Sequence, residues 1–172
     1  MRWFLALDER LAQAERALLV AVCAALVLLM MAQVVLRYVF SAPLFWAEEA
    51  AVQLLVLMTL FGLSLLVHQR QLITIDLLPA ALPARLRDAL AVLLAALMLA
   101  LLCFVARLGW DWVARPDVRL EIGATLRLPR WINYTALPLA FSCMAWHQAA
   151  ALLRALQQAL RHTRGAPAQG RA

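Results

Sequence analysis

Three kinds of side chain in this sequence could do chemistry. Histidines can bind iron, cysteines can bind zinc or cross-link, and the stretch RYVFSAPLFWAEEAAVQLL at 37–55 gathers Arg37, Glu48 and Glu49 into one knot of charge. Haem ligation needs two histidines at similar depth in a bundle. His68 lies 22 residues beyond Trp46, and His147 lies 16 beyond Trp131. At helical rise that is an offset of about 9 Å, so the spacing predicts two separate histidines, with His147 hydrogen-bonded inside a bundle. His162 falls in the C-terminal tail. Cys23, Cys103 and Cys143 sit singly in apolar runs with no CxxC spacing, which reads as small packing residues rather than a zinc site or a disulfide framework. No metal, no cofactor and no catalytic residue is implied, so the chain does not read as an enzyme.

The charge knot has a structural use. Counting outward from about Ala42, Arg37 lies about 7.5 Å along one helix and Glu48 about 9 Å along the next. Similar depth predicts an ion pair between Arg37 and Glu48 or Glu49, because an intramembrane or interfacial charge is costly unless paired. Gln33 and Gln53, each four residues further in, extend the polar stripes by one turn. The competing arrangement has Arg37 reaching lipid phosphates and the acids facing water. Pro43 suits the first turn of the second helix.

These residues must be held by apolar elements. Hydrophobic residues make up 66% of the 172 positions, well above the roughly 45–50% of soluble domains. Uncharged runs at 17–36, 50–67, 89–106 and 131–153 each have the length to cross a hydrocarbon core about 30 Å thick. The expected fold is an all-α integral membrane protein with four transmembrane helices, at about 17–39, 45–67, 87–107 and 131–153. The first run is too long for a signal-peptide core and is expected to remain as a helix. Before it, Trp3, Phe4, Leu7, Leu11 and Ala14 recur at helical spacing among charges. Residues 1–16 therefore read as an interfacial amphipathic helix or as a helical extension of the first span. The membrane domain covers 17–155, and 156–172 form a tail, disordered towards its end. The run VRLEI at 118–122 alternates as a short extended segment would.

All 16 basic residues are arginines, and the net charge is +6. With both termini cytoplasmic, ten arginines lie inside and six outside, in keeping with the positive-inside rule. The charge suits anionic lipid headgroups rather than nucleic acid, since no basic stripe lies on a soluble domain. No acid interrupts the four runs, Gly62 is the one glycine expected within a span, and Pro138 is the one proline well inside one. That pattern offers neither the buried carboxylate of a proton-coupled carrier nor paired broken helices around a solute site. Where a small multidrug exporter would carry a glutamate in its first span, this chain has only Gln33.

With those residues in view, a family resemblance can be given. RYVF, Pro43, WAEE at 46–49, the run containing Gly62 and HQRQLITID at 68–76 resemble the small membrane subunit of tripartite ATP-independent periplasmic (TRAP) transporters, the DctQ-like family. LRLPRWINYTALPLAF at 126–141 is similar to that family's approach to its fourth helix. The resemblance implies a static four-helix scaffold in the bacterial inner membrane, beside a large permease subunit that binds substrate and sodium and moves as an elevator. It also implies a periplasmic binding protein that delivers an organic acid, often a dicarboxylate. By the same resemblance Arg37, Trp46, Glu48, Glu49, Gly62, Asp76 and Trp131 are the structural or interface positions. Hairpin locking is expected of the charges, close packing of Gly62 and loop positioning of Asp76. Arg115, Arg119, Arg127 and Arg130 would touch the binding protein. The alternative expectation is a four-helix membrane anchor of a cytochrome b or quinone-reactive complex. The cargo and the coupling ion lie outside what this chain encodes.

Overall fold

The computed structural model describes residues 2–69 and 83–164. Four long helices dominate it: α1 (Arg2–Tyr38), α2 (Ala47–Gln69), α3 (Ala84–Val113) and, after the short helices α4 (Pro116–Leu120) and α5 (Trp131–Tyr134), α6 (Ala136–Arg164). Each of the four spans has the length and apolarity to cross a membrane, and the fold is all-α as expected. Pro83 is the extended N-cap residue just before α3, where its missing N–H is no loss. Pro116 and Asp117 start α4, with the acid at the positive end of the helix.

Several boundaries differ from expectation for local reasons. α1 runs unbroken for 37 residues, about 55 Å of helix, so residues 2–16 continue the first span with no break at residue 16. α1 closes through Ser41 in the left-handed region, φ 51°, with the Ala42 N–H donating to the Leu36 carbonyl at 2.9 Å. That bond reaches back six residues, one more than the bond of a Schellman motif, and closes the helix end without glycine. α2 begins at Ala47, so Pro43 belongs to the connection and not to its first turn. α3 runs to Val113 and thus includes Gly109. The fourth span is interrupted at Thr135, because Pro138 has no N–H to offer the Tyr134 carbonyl four residues back. Where VRLEI suggested an extended segment, Val118 to Leu120 are helical, and only Ile122 pairs, in an isolated bridge with Pro129.

α6 is the central element: 44% of its most apolar window is buried, against 6% for α1. It packs most extensively along α3 and next along α2, while α1 lies mainly on α2. Phe61, Val67, Leu102, Ala140, Met144 and Ala145 form the core where α2, α3 and α6 meet. Gly109 permits a close approach between α3 and α6, since a Cβ there would stand 3.0 Å from the Pro138 Cβ. At the same crossing the Trp110 indole N–H donates to Ser142 Oγ at 3.3 Å. The close packing expected at Gly62 is not made within the chain, where a Cβ would meet nothing within 4 Å. Large apolar side chains such as Leu28, Leu93, Leu97 and Phe104 point outward, an arrangement that is stable only against lipid or another subunit.

Candidate functional site: a polar clasp at each end of the bundle

The charge knot is resolved differently from the expected ion pair. No ion pair within 4.0 Å joins Arg37 to Glu48 or Glu49 among the described residues. The Arg37 guanidinium instead lies 5.9 Å from the ring centroid of the adjacent Tyr38. Gln33, Arg37 and Glu48 line a common groove between α1 and α2. Glu49 turns away from it, towards the connection before α5. Its Oε2 accepts from the backbone N–H of Thr125 at 2.8 Å, from the Leu126 N–H at 3.0 Å and from the Thr125 hydroxyl. Three donors on one oxygen are what an ionised carboxylate satisfies best.

The connection is shaped to receive that carboxylate. The Gly123 N–H donates to the Leu128 carbonyl at 2.8 Å and the Arg130 N–H to the Glu121 carbonyl at 2.9 Å, closing a small hairpin. Arg127 takes a left-handed φ of 50° near its tip. Gly123 leaves room for the carboxylate in this position, because a Cβ would collide with Glu49 Oε1 and push it aside. The Tyr134 hydroxyl donates to Glu121 Oε2 at 2.9 Å and holds the hairpin against α5. Among the other expected residues, Trp46 and Trp131 are 42% and 38% exposed at the same end of the bundle. Arg115 stacks on Trp112 at 5.4 Å, and Arg115, Arg119, Arg127 and Arg130 are all exposed. Asp76 lies outside the described residues.

The opposite end holds a cluster that the sequence reading did not assemble. Asp8, Glu15 and His147 are 0%, 2% and 2% exposed, deep between α1, α2 and α6. His147 Nδ1 lies 2.6 Å from Asp8 Oδ1, and its Nε2 lies 3.2 Å from Glu15 Oε2. Arg154 donates to Asp8 Oδ2 at 2.9 Å, and the Ser64 hydroxyl donates to Glu15 Oε1 at 2.9 Å. His68 Nδ1 completes the group, 3.2 Å from His147 Nδ1 and 3.4 Å from Asp8 Oδ2. Buried charges are tolerable in this form, each met by a partner of opposite charge or a hydrogen-bonding group. The sequence does carry a signal for the cluster. Asp8 and Glu15 are seven apart, as are His147 and Arg154, while Ser64 and His68 are four apart, so each set lies on one helical face. α1 thus turns Asp8 and Glu15 inward, while Trp3 and Leu7 are exposed alongside Glu9, Arg10, Gln13 and Arg16.

The histidine depth argument must be corrected. The two rings meet with centroids 4.7 Å apart, although counting from Trp46 and Trp131 separates them by about 9 Å. The hairpin that folds over Glu49 takes up the difference, so the fourth span begins further inward than the second. Haem ligation fails for another reason: with the two Nδ1 atoms 3.2 Å apart and a carboxylate against both rings, no gap remains for an iron porphyrin between them.

Four apolar spans whose charges gather at the two ends, with none at 17–36, 50–67, 89–106 or 131–153, define a multi-pass integral membrane protein. Residues 26–158 match the family model described as tripartite ATP-independent periplasmic transporters, DctQ component. The chain belongs to that family, which makes it a component of an inner-membrane TRAP transporter. It is 28% identical over 166 residues to the protein named C4-dicarboxylate TRAP transporter small permease protein DctQ from Vibrio cholerae serotype O1, covering 84% of this chain and 72% of that one.

Proposed function

We propose that this chain is the small scaffold subunit of a TRAP transporter. It pairs with a large elevator-type permease subunit in the ion-coupled, sodium-driven uptake of organic acids such as C4-dicarboxylates, which a periplasmic binding protein delivers. Both termini face the cytoplasm, so the Glu49 hairpin faces the periplasm. The observation that carries this reading is the empty middle of the bundle. Between the two clasps the polar groups of α2 are few, and Thr59 spends its hydroxyl on the Leu55 carbonyl one turn back at 2.8 Å. A charged cargo crossing there would meet no fixed counter-charge, a cost too large for a working path. Transport therefore belongs to another subunit, and the outward apolar faces of α1 and α3 support a role as a frame for it.

On the periplasmic side the exposed Arg115, Arg119, Arg127 and Arg130 form the surface offered to the binding protein by complementary charge. Glu49 acts on that surface indirectly, by fixing the hairpin that carries Arg127 and Arg130. The test is reconstitution of the chain, a co-purifying permease and the binding protein in liposomes. Uptake of a radiolabelled dicarboxylate is expected only when all three are present. Uptake by this chain alone, or equal uptake by permease and binding protein without it, would overturn the proposal.

A further inference from the structure

We propose that the buried cluster is a binding site for a first-row divalent metal ion, Zn2+ by preference, with Asp8, His68 and His147 as the protein ligands. Three helices bring one carboxylate oxygen and two imidazole nitrogens to a common point, all within 4.8 Å of one another. Two histidines and a carboxylate, with one position open, are a donor set that zinc favours. Ligands about 2.0–2.1 Å from a tetrahedral ion stand about 3.3 Å from each other. The His68 to His147 separation of 3.2 Å matches that edge, while the Asp8 carboxylate presents Oδ1 to His147 at 2.6 Å and Oδ2 to His68 at 3.4 Å. Loading through Oδ1, the oxygen that Arg154 does not engage, opens the 2.6 Å contact with His147 Nδ1 by about 0.7 Å.

The surrounding groups are those that orient metal ligands elsewhere. His147 presents Nε2 to Glu15 at 3.2 Å, and Ser64 fixes Glu15 in turn. A proton on Nε2 leaves the Nδ1 lone pair directed at Asp8 and His68, the carboxylate–histidine–metal arrangement. With His68 likewise carrying its proton on Nε2, two nitrogen lone pairs and a carboxylate converge, and a cation among them satisfies all three. Arg154 holds the ligating carboxylate at Oδ2 and supplies one positive charge against the two negative charges of Asp8 and Glu15. A cleft of about 220 Å³, bordered by Glu9, Arg16, His68 and Gln69, opens beside His68 and gives the ion a route. The rival occupant is a proton shared between His147 and the two carboxylates, which would leave no place for a metal.

The test uses the full-length chain in detergent, stripped with chelator and titrated with Zn2+ or with Co2+ as a spectroscopic substitute. One ion per chain is expected, and Co2+ should give the intense visible absorption of a four-coordinate site. Glu15→Gln should weaken binding about 10- to 100-fold, and His68→Gln should abolish it. His68 is the most exposed of the three ligands, with 19% of its side chain accessible, so its variant should still fold and elute as the parent does. Zn2+ should raise the melting temperature of the parent and not that of His68→Gln. Equal Zn2+ uptake by the parent and by a His68→Gln, His147→Gln double variant, or no uptake by either, would overturn the assignment. None of these readouts depends on transport.

Discussion

Replacing Asp8 with alanine should be among the most damaging single changes in the chain. The substitution takes one carboxylate from His147 at 2.6 Å, from Arg154 at 2.9 Å and from His68 at 3.4 Å. Removing one partner from a buried charge pair costs about 3–5 kcal/mol, because the other charge stays buried alone. Arg154 keeps 32% of its side chain accessible and can turn partly to solvent, so the lower end, about 3 kcal/mol, is expected. That is a large share of a total stability of about 5–15 kcal/mol. The control is Asp111→Ala, whose 4.0 Å pairing with Arg107 is exposed and should shift stability by about 0.5 kcal/mol or less. The measurement is reversible unfolding in mixed detergent–SDS micelles, with chelator present so that no metal contributes. A double-mutant cycle with Arg154→Ala isolates the pair, and a coupling of about 1–3 kcal/mol is expected. Ordinary hydrogen bonds between membrane helices average only about 0.6 kcal/mol in such cycles. A coupling at or below that value would show that Asp8 and Arg154 do not act as a buried ion pair, and the account of this end of the bundle would fail.

Gly123→Ala should displace the Glu49 carboxylate, since the new Cβ collides with Oε1. Hydrogen exchange of the Thr125 and Leu126 amides should then quicken towards the rate in Glu49→Ala, and unchanged protection would refute the clasp. At Gly109, where Pro138 already stands 3.0 Å from a built Cβ, leucine should cost about 1–3 kcal/mol by overpacking. Gly62→Ala meets no neighbour in the chain and should leave stability level or raise it by up to about 1 kcal/mol. Loss of permease co-purification in that variant alone would place Gly62 at the subunit interface, and a destabilised chain would contradict the open space seen around it. Arg37→Ala and Glu48→Ala should be strictly additive in stability, and a coupling energy would restore the ion pair that the structure replaces with the Arg37–Tyr38 contact.

The helix number was legible because membrane spans are written in composition: a run of 18 or more uncharged residues leaves few alternatives. The ends of the helices were less so, because they are set by single contacts. Ser41 in a left-handed conformation and the missing N–H of Pro138 leave almost no trace in hydropathy. Pairing was hardest. Arg37 and Glu48 were expected together from their distance to the turn, yet helical rise fixes only depth and leaves the direction in which a side chain leaves its helix open. Glu49, one residue on and 100° round the helix, points at the hairpin instead. The same limit hid the cluster of Asp8, Glu15 and His147. Judged alone, the two acids belong to a polar segment outside the membrane and His147 to an apolar run. Only the antiparallel approach of α1 and α6 reveals that their seven-residue spacings face each other.

The two clasps account for how a bundle with so little internal burial keeps one arrangement. In lipid, apolar contact between helices offers little net drive, because the hydrocarbon chains are as apolar as leucine. α1 illustrates the consequence, with most of its apolar side chains directed outward. Its position is instead specified by Asp8 and Glu15, which would be left as unpaired buried charges if the helix rotated or slid by one turn. Glu49 does the same at the far end, where a shift of α2 would strand a carboxylate without three of its donors. Polar groups at the ends thus fix rotation and register, while the charge-free length between them stays compatible with lipid or with the apolar flank of a second subunit. The scaffold role proposed above would use that division: the shape is set from within, and the sides remain free to be covered.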